Sequence, residues 1–307
     1  MAWKGVHLSR PAHLSLQNHN LLICFRSTEA PQEKVEVPLE DLDYLVIDTT
    51  EASITTPLLA ALAQASVLVL GVDRRHIPAW AAFPWAAYYR QGESLTCQLG
   101  ASLPLKKQLW SRIIERKIAH QAQCLFQEDH PTAAALLEKM SKRVLSGDSS
   151  NMEAQAARVY WPALFPHYTF QRHANDLPNA LLDYGYALIR SAIARNLCAL
   201  GFVPQLGIHH CGQANAFNLA DDLIEPFRPF VDLLAVRIAA GFSPDVPLNR
   251  EHRCQMVKIL SWQVPFDSEN ISLPLAIERT VNTFRRALVE KNAACLRFPA
   301  FPARVNL

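Results

Sequence analysis

The sequence predicts an α+β protein in which a small N-terminal β-rich domain precedes a larger all-α C-terminal domain. Up to about Asp73, apolar residues alternate with polar ones or form short runs between turn-forming residues, which is typical of strands. After about Leu103 they recur at helical spacing. With 307 residues, half of them hydrophobic, the chain is long enough for two cores. We therefore place the domains at residues 1–80 and 103–307, with a linker over 81–102.

Strand-like segments fill the N-terminal domain, and they read VHLS, HLSLQ, LLICFR, KVEVPL and DYLVIDT. Asn18 to Asn20 predict a hairpin turn between two of them. A helix over Thr56–Ala65 is expected before a buried strand, SVLVLGVD. The segment that follows has Pro78 and Pro84 among aromatic residues and no sustained periodicity, which is typical of a connection between domains.

Helical periodicity dominates the C-terminal domain. The last segment, FPAFPARVNL, has no such period and predicts an irregular tail. The predicted helices are Leu105–Gln127, Thr132–Leu145, Asn151–Leu164, Pro178–Leu200, Leu219–Ala240, and two more near residues 250–262 and 273–294.

Composition excludes several classes of protein. The longest apolar stretch, Leu58–Val72, is interrupted by Gln64 and Ser66 and is shorter than the roughly 20 residues of a membrane-spanning helix. The start, MAWKGVHLSR, lacks the apolar core of a secretory signal, so we expect a cytoplasmic protein. The seven cysteines form no CxxC pair, which favours reduced thiols over a structural zinc site.

Charge is distributed unevenly along the chain. Residues 1–80 hold six Lys/Arg and nine Asp/Glu, a net charge of −3, whereas residues 81–307 hold 24 and 19, a net charge of +5. This excess of positive charge in the second part weakly favours a polyanionic partner such as a nucleic acid.

The most informative segment is GIHHCGQANAFNLADDLIEPFRP, which starts at Gly207. An extended stretch with His209 and His210 leads into a helix, and successive residues of an extended chain face opposite sides. We therefore expect one of the two histidines to point into a site. On the helix, Asp222 and Glu225 are three residues apart and share a face. A histidine and one or two carboxylates should converge where this helix begins.

Oxygen and nitrogen donors of this kind suit Mg²⁺ or Mn²⁺. A third ligand must come from another element, and the best candidate is Glu153. It shares a helical face with Ala156, Ala157 and Tyr160, and small neighbours allow a second helix to approach.

Each of these residues also has a purely structural interpretation. Ser150 and Glu153 have the spacing of a capping box, as do Asn218 and Asp221, for which capping is the preferred interpretation. Adjacent histidines are commonly packing residues. Glu225 is also three residues before Arg228, the spacing of an ion pair within a helix.

Beyond these residues, the segment GIHH…NAFNLADDLIEPFRP resembles the signature of CRISPR-associated spacer-acquisition integrases, in the variant that accompanies RNA-guided single-protein effectors. Four further blocks agree in order and spacing, so the resemblance spans about residues 3 to 290. One difference is Asp183, where the family leads us to expect asparagine. The blocks are WKGVHLSRPAHLSLQNHNLLI, VLGVDRRHIP, NMEAQAARVYW and FQRHANDLPNALLDYGYALIRSAI.

The resemblance implies a catalytic site in which one glutamate, one histidine and one acidic residue bind Mg²⁺ or Mn²⁺. By position these are Glu153, His210 and Glu225, with Asp222 as an alternative or additional ligand. It also implies the reaction, in which the 3′-hydroxyl of a short DNA fragment attacks the edge of a CRISPR repeat. If water attacks instead, the same site is a nuclease.

The resemblance further implies the partners. They are double-stranded DNA fragments, the CRISPR repeat, a second copy of the chain, a small CRISPR-associated adaptation protein and, in addition, the RNA-guided effector nuclease. The β-rich domain has no catalytic candidates, which suits a role in forming the homodimer.

Candidate DNA-contact residues come from the same domain as the proposed site. Lys139, Lys142, Arg143 and Arg172 are candidates for phosphate contacts, although a solvated helix face would give the same pattern. Tyr184, in the YGY stretch with Tyr186, is a candidate for lining the site, with core packing as the alternative.

Three other functions stay open at this point: a metal-dependent nuclease that cuts branched or double-stranded DNA independently of repeats, a DNA-binding dimer without activity, and a carboxylate-bridged oxygenase. The oxygenase is disfavoured because such sites use Glu-x-x-His repeats, and the sequence has none.

Overall fold

The chain folds into two compact units, Met1–Tyr89 and Arg90–Leu307. Strands dominate the first and helices the second, as the sequence predicts. Pro84 and the last four residues of the predicted tail lie outside the described residues. The computed structural model describes residues 4–26, 33–83, 88–166 and 170–303.

The first unit contains two four-stranded sheets. In one, β1, β5 and β7 are parallel and β8 is antiparallel at the edge; the other has the order β4-β3-β2-β6. Leu14, Leu21, Leu45 and Leu58, which come from both sheets and from the helix, are buried in one core. The elements are β1 (Lys4–Leu8), β2 (Ala12–Gln17), β3 (Asn20–Phe25), β4 (Lys34–Pro38), β5 (Leu42–Ile47), β6 (Ala52–Ile54), α1 (Thr56–Gln64), β7 (Leu68–Val72) and β8 (Pro78–Ala82).

The hairpin predicted around Asn18 is present between β2 and β3. Asn18 and His19 form its two-residue turn with φ of 49° and 62°. Left-handed conformation at both central positions matches the right-handed twist of the strands, and asparagine tolerates it better than most residues.

The second unit is built mainly of helices, and the range that we predicted to be a linker contains the end of β8 and a helix, α2. The helices are α2 (Gln91–Leu99), α3 (Leu103–Gln127), α4 (Pro131–Ser141), α5 (Met152–Leu164), α6 (Leu177–Ala199), α7 (Asn218–Ile224), α8 (Arg228–Ala239), α9 (Arg250–Val257) and α10 (Leu273–Val289).

The prediction of an all-α second domain is wrong in one place. Strands β9 (Gln263–Phe266) and β10 (Glu269–Ser272) form a hairpin between α9 and α10. Val264, Phe266 and Ile271 are buried from this hairpin, so it contributes an alternating apolar face to the helical core.

Helix α6 lies at the centre of the second unit and packs against α7, α8, α9 and α10. Gly185 permits the close approach of α8, because a Cβ at this position would lie 2.4 Å from Cγ1 of Val231. The predicted helix Leu219–Ala240 is divided into α7 and α8 by a 3₁₀ turn, Glu225–Phe227. Pro226 lies in this turn and, since proline has no N–H, it suits the interruption.

Within the described residues, the helices are too short or too polar to cross a lipid bilayer.

Candidate active site

Glu153 lies in the first turn of α5, and its backbone shows how the helix begins. Asp148 accepts hydrogen bonds from the N–H groups of Met152 (2.8 Å) and Glu153 (3.0 Å). Ser150 Oγ is buried and makes no hydrogen bond in the described part of the chain. The capping box that we considered for Ser150 and Glu153 is therefore not formed. Asp148 caps the helix instead, which leaves the Glu153 side chain available for another contact.

Glu225 lies in the 3₁₀ turn between α7 and α8 and is 4% exposed. Its Oε1 accepts a hydrogen bond of 2.9 Å from Nε of Arg228, the ion pair that the spacing predicts. Its Oε2 accepts no hydrogen bond with acceptable geometry among the described residues, although an ammonium group lies 2.5 Å away.

That ammonium belongs to Lys117 of α3. Its Nζ is 2.5 Å from Glu153 Oε1 and 2.5 Å from Glu225 Oε2. Because both oxygens lie 2.5 Å from the same nitrogen, they are at most 5.0 Å apart. Sequence reasoning predicted that the carboxylates converge but missed the lysine between them.

The signal for this lysine is present in the α3 sequence. Trp110, Ile113, Ile114 and Ile118 are buried at helical spacing, and Lys117 falls on the same face. A lysine on an apolar helix face needs a buried partner of opposite charge.

Burial and ion pairing act in opposite directions on these groups. Burial alone would raise the pKa of Glu225, but the charges of Arg228 and Lys117 outweigh it and lower the pKa to about 2. Burial opposes the charge of Lys117, yet Glu225 and Glu153 keep its pKa above the ordinary value. Glu225 is therefore ionised and Lys117 protonated at neutral pH.

His210 is held by Asp222, which is completely buried. Asp222 Oδ1 lies 2.8 Å from Nδ1 of His210. Asp222 Oδ1 also accepts a hydrogen bond from a backbone N–H, so in the neutral imidazole Nδ1 donates to it and Nε2 keeps its lone pair. The hydrogen bond with Asp222 raises the pKa of His210, burial opposes it, and the charge of Glu225 adds to the increase.

Asp222 also fixes the loop that carries the histidine. Its two oxygens accept hydrogen bonds from the backbone N–H groups of Ile208 (2.6 Å), His209 (3.2 Å) and His210 (3.0 Å). The oxygens of Asp222 are thus occupied by the protein itself.

The two adjacent histidines have different surroundings, as the extended chain predicts. The ring of His209 stacks on Trp110 with the ring centroids 3.9 Å apart and the planes 3° from parallel. His209 is thus a packing residue, whereas the ring of His210 is hydrogen-bonded to Asp222.

Buried amides hold the rest of the histidine loop, which we define as residues 203–212. Asn218 donates to the carbonyls of Gln205 and Gly212, both at 2.9 Å, and accepts from the Gly212 N–H. Gln98 of α2 donates to the carbonyls of Val203 and Leu206. The capping box predicted for Asn218 and Asp221 is wrong, because α7 has no side-chain cap and Asn218 is used to fix the loop.

A cavity of about 430 Å³ opens beside the histidine loop. His210 and the amide side chains of Gln98, Gln205, Gln213 and Asn215 are among the residues that line it. This cavity next to His210 provides space for a ligand.

A hydrogen-bonded layer lies behind the charged cluster. Asp232 of α8 accepts hydrogen bonds from Tyr160 (2.9 Å) and Tyr186. Burial raises the pKa of Asp232 to about 6, although both tyrosines oppose the increase. Arg228 lies 4.5 Å from the centroid of the Tyr186 ring, which connects this layer to Glu225. Tyr184, our candidate for lining the site, is buried in α6.

The predicted DNA-contact residues have two kinds of environment. Arg172 is partly buried, donates to Asn179 (2.8 Å) and pairs with Asp183 (2.5 Å). Asp183, where the resemblance suggested asparagine, thus forms an ion pair with Arg172. Lys139, Lys142 and Arg143 are exposed at the end of α4 and just after it. Their role in binding DNA stays a prediction.

Among the described residues, no three His, Cys, Asp or Glu side chains are arranged around one point as a bound metal ion requires. The acidic pair, Glu153 and Glu225, surrounds the ammonium of Lys117 instead.

Comparison with known proteins identifies the family. The family described as CRISPR associated protein Cas1 matches residues 6–241. The chain is 38% identical over 305 residues to the CRISPR-associated endonuclease Cas1 of Neisseria meningitidis serogroup C (strain 8013), covering 97% of this chain and 96% of the relative. The chain belongs to the Cas1 family. This confirms the resemblance found in the sequence.

Solved structures agree with the Cas1 fold. A casposase bound to integration product has a TM-score of 0.72 at 18% identity and covers 94% of this chain and 91% of that one. A partial Cas6-RT-Cas1–Cas2 complex has a TM-score of 0.65 at 17% identity, covering 96% and 98%. At these identities the similarity supports the fold: N-terminal strands followed by a helical unit.

Proposed function

We propose that this Cas1 family member is a divalent-metal-dependent DNA integrase of CRISPR adaptation. The observation that carries the proposal is the acidic pair, whose two carboxylate oxygens are at most 5.0 Å apart and surround a cation. Two carboxylates in such a position are suited to bind a cation, and family membership supports DNA as the substrate.

The donor set fits Mg²⁺ or Mn²⁺. Glu153 and Glu225 supply oxygens, including the Oε2 of Glu225, which is buried and lies 2.5 Å from Nζ of Lys117. His210 supplies Nε2, since its Nδ1 is hydrogen-bonded to Asp222. A bound ion would neutralise phosphate charge and lower the pKa of an attacking hydroxyl. Binding needs a rearrangement in which Lys117 leaves the acidic pair.

Asp222 has a different role in this proposal. It was an alternative or additional ligand in the sequence-based interpretation, but both of its oxygens accept hydrogen bonds from the histidine loop. We assign it to orienting His210, as carboxylates commonly do for metal-binding histidines.

The reaction is a transesterification. The 3′-oxygen of the DNA fragment forms a bond to a phosphorus atom at the edge of the repeat and loses its proton. The bond from phosphorus to the 3′-oxygen of the repeat breaks, and that oxygen gains a proton. No protein nucleophile takes part, so the cluster needs only to bind the cation and to position the reacting groups.

The partners belong to the proposal too. A structurally similar chain is part of a partial Cas6-RT-Cas1–Cas2 complex, which supports a small adaptation protein as partner. Similarity to a casposase bound to integration product supports DNA as the substrate of joining. Homodimer formation through the β-rich domain, association with the effector nuclease and a cytoplasmic location stay predictions.

The main experiment is joining of a labelled DNA duplex to DNA that contains the repeat. We expect joining with Mg²⁺ or Mn²⁺ and none with chelator. The variants Glu153→Ala, His210→Ala and Glu225→Ala should lose it, whereas Glu290→Ala, an exposed glutamate far along the chain, should join normally. Normal joining by all three site variants would refute the proposal.

A second candidate is a nuclease that acts independently of repeats on branched or double-stranded DNA. The name of the Neisseria relative, an endonuclease, favours it. Three-way junctions without repeat sequence distinguish the two: efficient cleavage there, together with no joining to the repeat, would favour the nuclease.

A further inference from the structure

The cation between the carboxylates is supplied by the chain itself. We propose that Lys117 is an internal counter-ion that occupies the metal position in metal-free protein, so that a divalent ion binds by displacing its ammonium. This inference rests on the proposed function, because it concerns the same metal site.

The position of Nζ is the first argument. It lies 2.5 Å from one oxygen of Glu153 and 2.5 Å from one oxygen of Glu225. Oxygen ligands of Mg²⁺ lie at about 2.1 Å from the ion, so an ion shared by the same two oxygens would take nearly the same place. The ammonium and the ion therefore exclude each other.

Charge balance is the second argument. Glu153 and Glu225 carry two negative charges, and Lys117 and Arg228 carry two positive charges, so the metal-free cluster is neutral. Glu225 and Arg228 are largely buried. Adding a divalent ion while Lys117 stays in place would put a net charge of about +2 into a site where charge is costly. Departure of Lys117 on its flexible stem reduces this cost.

The lysine has a function before the ion arrives. Without it, two carboxylates would face each other in a site where Arg228 pairs with Glu225. Like charges so close repel, and the pair would shift apart or gain a proton. Lys117 thus keeps the acidic pair assembled, at the expense of metal affinity.

The test measures Mn²⁺ binding by isothermal titration calorimetry to the full-length chain without DNA. Lys117→Met removes the competing ammonium, and we expect Mn²⁺ to bind about tenfold more tightly than to the wild type, a difference of about 1.4 kcal/mol. Lys107→Met is the matched control, because Lys107 is exposed on the same helix, and its affinity should not change. Binding by Lys117→Met that is equal to or weaker than wild type would overturn the inference.

A second variant guards against misfolding. Lys117→Arg keeps the charge and can bind carboxylates with two nitrogens, so Mn²⁺ should bind no more tightly than to wild type. Thermal melting adds a readout independent of activity: in chelator, Lys117→Met should melt below wild type, and Mn²⁺ should raise its melting temperature more. A rise in melting temperature no larger than in wild type would contradict the exchange of the Lys117 ammonium for Mn²⁺.

The outcomes separate this inference from the proposed function. If wild type binds no Mn²⁺ and Glu153→Gln behaves identically, the metal site itself is wrong. If wild type binds Mn²⁺, Glu153→Gln weakens it and Lys117→Met does not tighten it, only the counter-ion role of Lys117 fails.

Discussion

The candidate site has two halves that the fold builds in different ways. The carboxylate half, Glu153 and Glu225 with Lys117 and Arg228, comes from helices α3, α5 and α8 and the 3₁₀ turn before α8. In the histidine half, His210 comes from an irregular loop, and Asp222 of α7 is among the buried side chains that fix the backbone of this loop. Helices position the first half by packing, whereas hydrogen bonds to the backbone position the second.

This difference shows which physical problem each half solves. Glu225 must stay ionised while buried, and two cations make this possible. The histidine needs one tautomer and one orientation, and a single buried carboxylate provides both. Substitutions should therefore have different signatures: loss of charge balance in one half, and loss of loop geometry in the other.

The largest expected effect is in the histidine half. Asp222→Ala leaves the backbone N–H groups of Ile208, His209 and His210 without their acceptor in a partly buried position. We expect the free energy of unfolding to fall by about 3 to 5 kcal/mol, as measured by urea denaturation. A loss below about 1 kcal/mol would show that the loop does not depend on this carboxylate.

A gentler substitution isolates the effect on the tautomer. Asp222→Asn keeps a carbonyl oxygen that can accept hydrogen bonds from the loop backbone, but its amide N–H can donate to Nδ1 of His210. The ring proton would then move to Nε2 and block that nitrogen as a ligand. Joining should fall by roughly 10-fold to 100-fold with a smaller loss of stability.

Much of the fold followed from periodicity, because helices such as α3 and hairpins such as β2–β3 are local. Pairing of β1, β5 and β7 did not, since these parallel strands are far apart in the chain and their order depends on tertiary packing. The β9–β10 hairpin was missed because strands of four residues give a weak alternating pattern.

For the site, the sequence located the segments but not their contacts. The Ser-x-x-Glu spacing suggested a cap at Ser150, and Asp148 takes this role because its carboxylate reaches two N–H groups. Lys117 lies on an apolar face of α3, which indicates a buried partner but does not say which one. Such contacts between α3 and distant elements depend on packing that no local pattern encodes.

An effect of intermediate size on stability is expected from Asp232, in the layer behind the carboxylate half. Burial raises the pKa of Asp232 from 3.8 to about 6. Between these values the folded protein holds a proton that the unfolded chain has released, so stability falls as pH rises. This shift of roughly two pKa units corresponds to about 3 kcal/mol, fully present at low pH and lost by about pH 7.

The measurement is urea denaturation of wild type and Asp232→Asn from pH 4 to pH 7.5. Asn does not titrate, so the stability of wild type relative to this variant should decrease across that range, which removes the contributions of other groups. A difference that stays constant with pH, or increases, would show that the pKa of Asp232 is not raised in the folded protein.

The smallest expected effect compares the two adjacent histidines. His209→Ala removes the stack on Trp110, which is worth about 1 kcal/mol of stability, and should leave joining within about threefold of wild type. His210→Ala should lower joining at least about 100-fold at similar stability, since 40% of its side chain is exposed. Both rates come from the same joining assay, with circular dichroism as the check on folding. If folded His209→Ala joins as poorly as His210→Ala, the stack itself positions the catalytic ring, and the histidine half depends on aromatic packing as well as on Asp222.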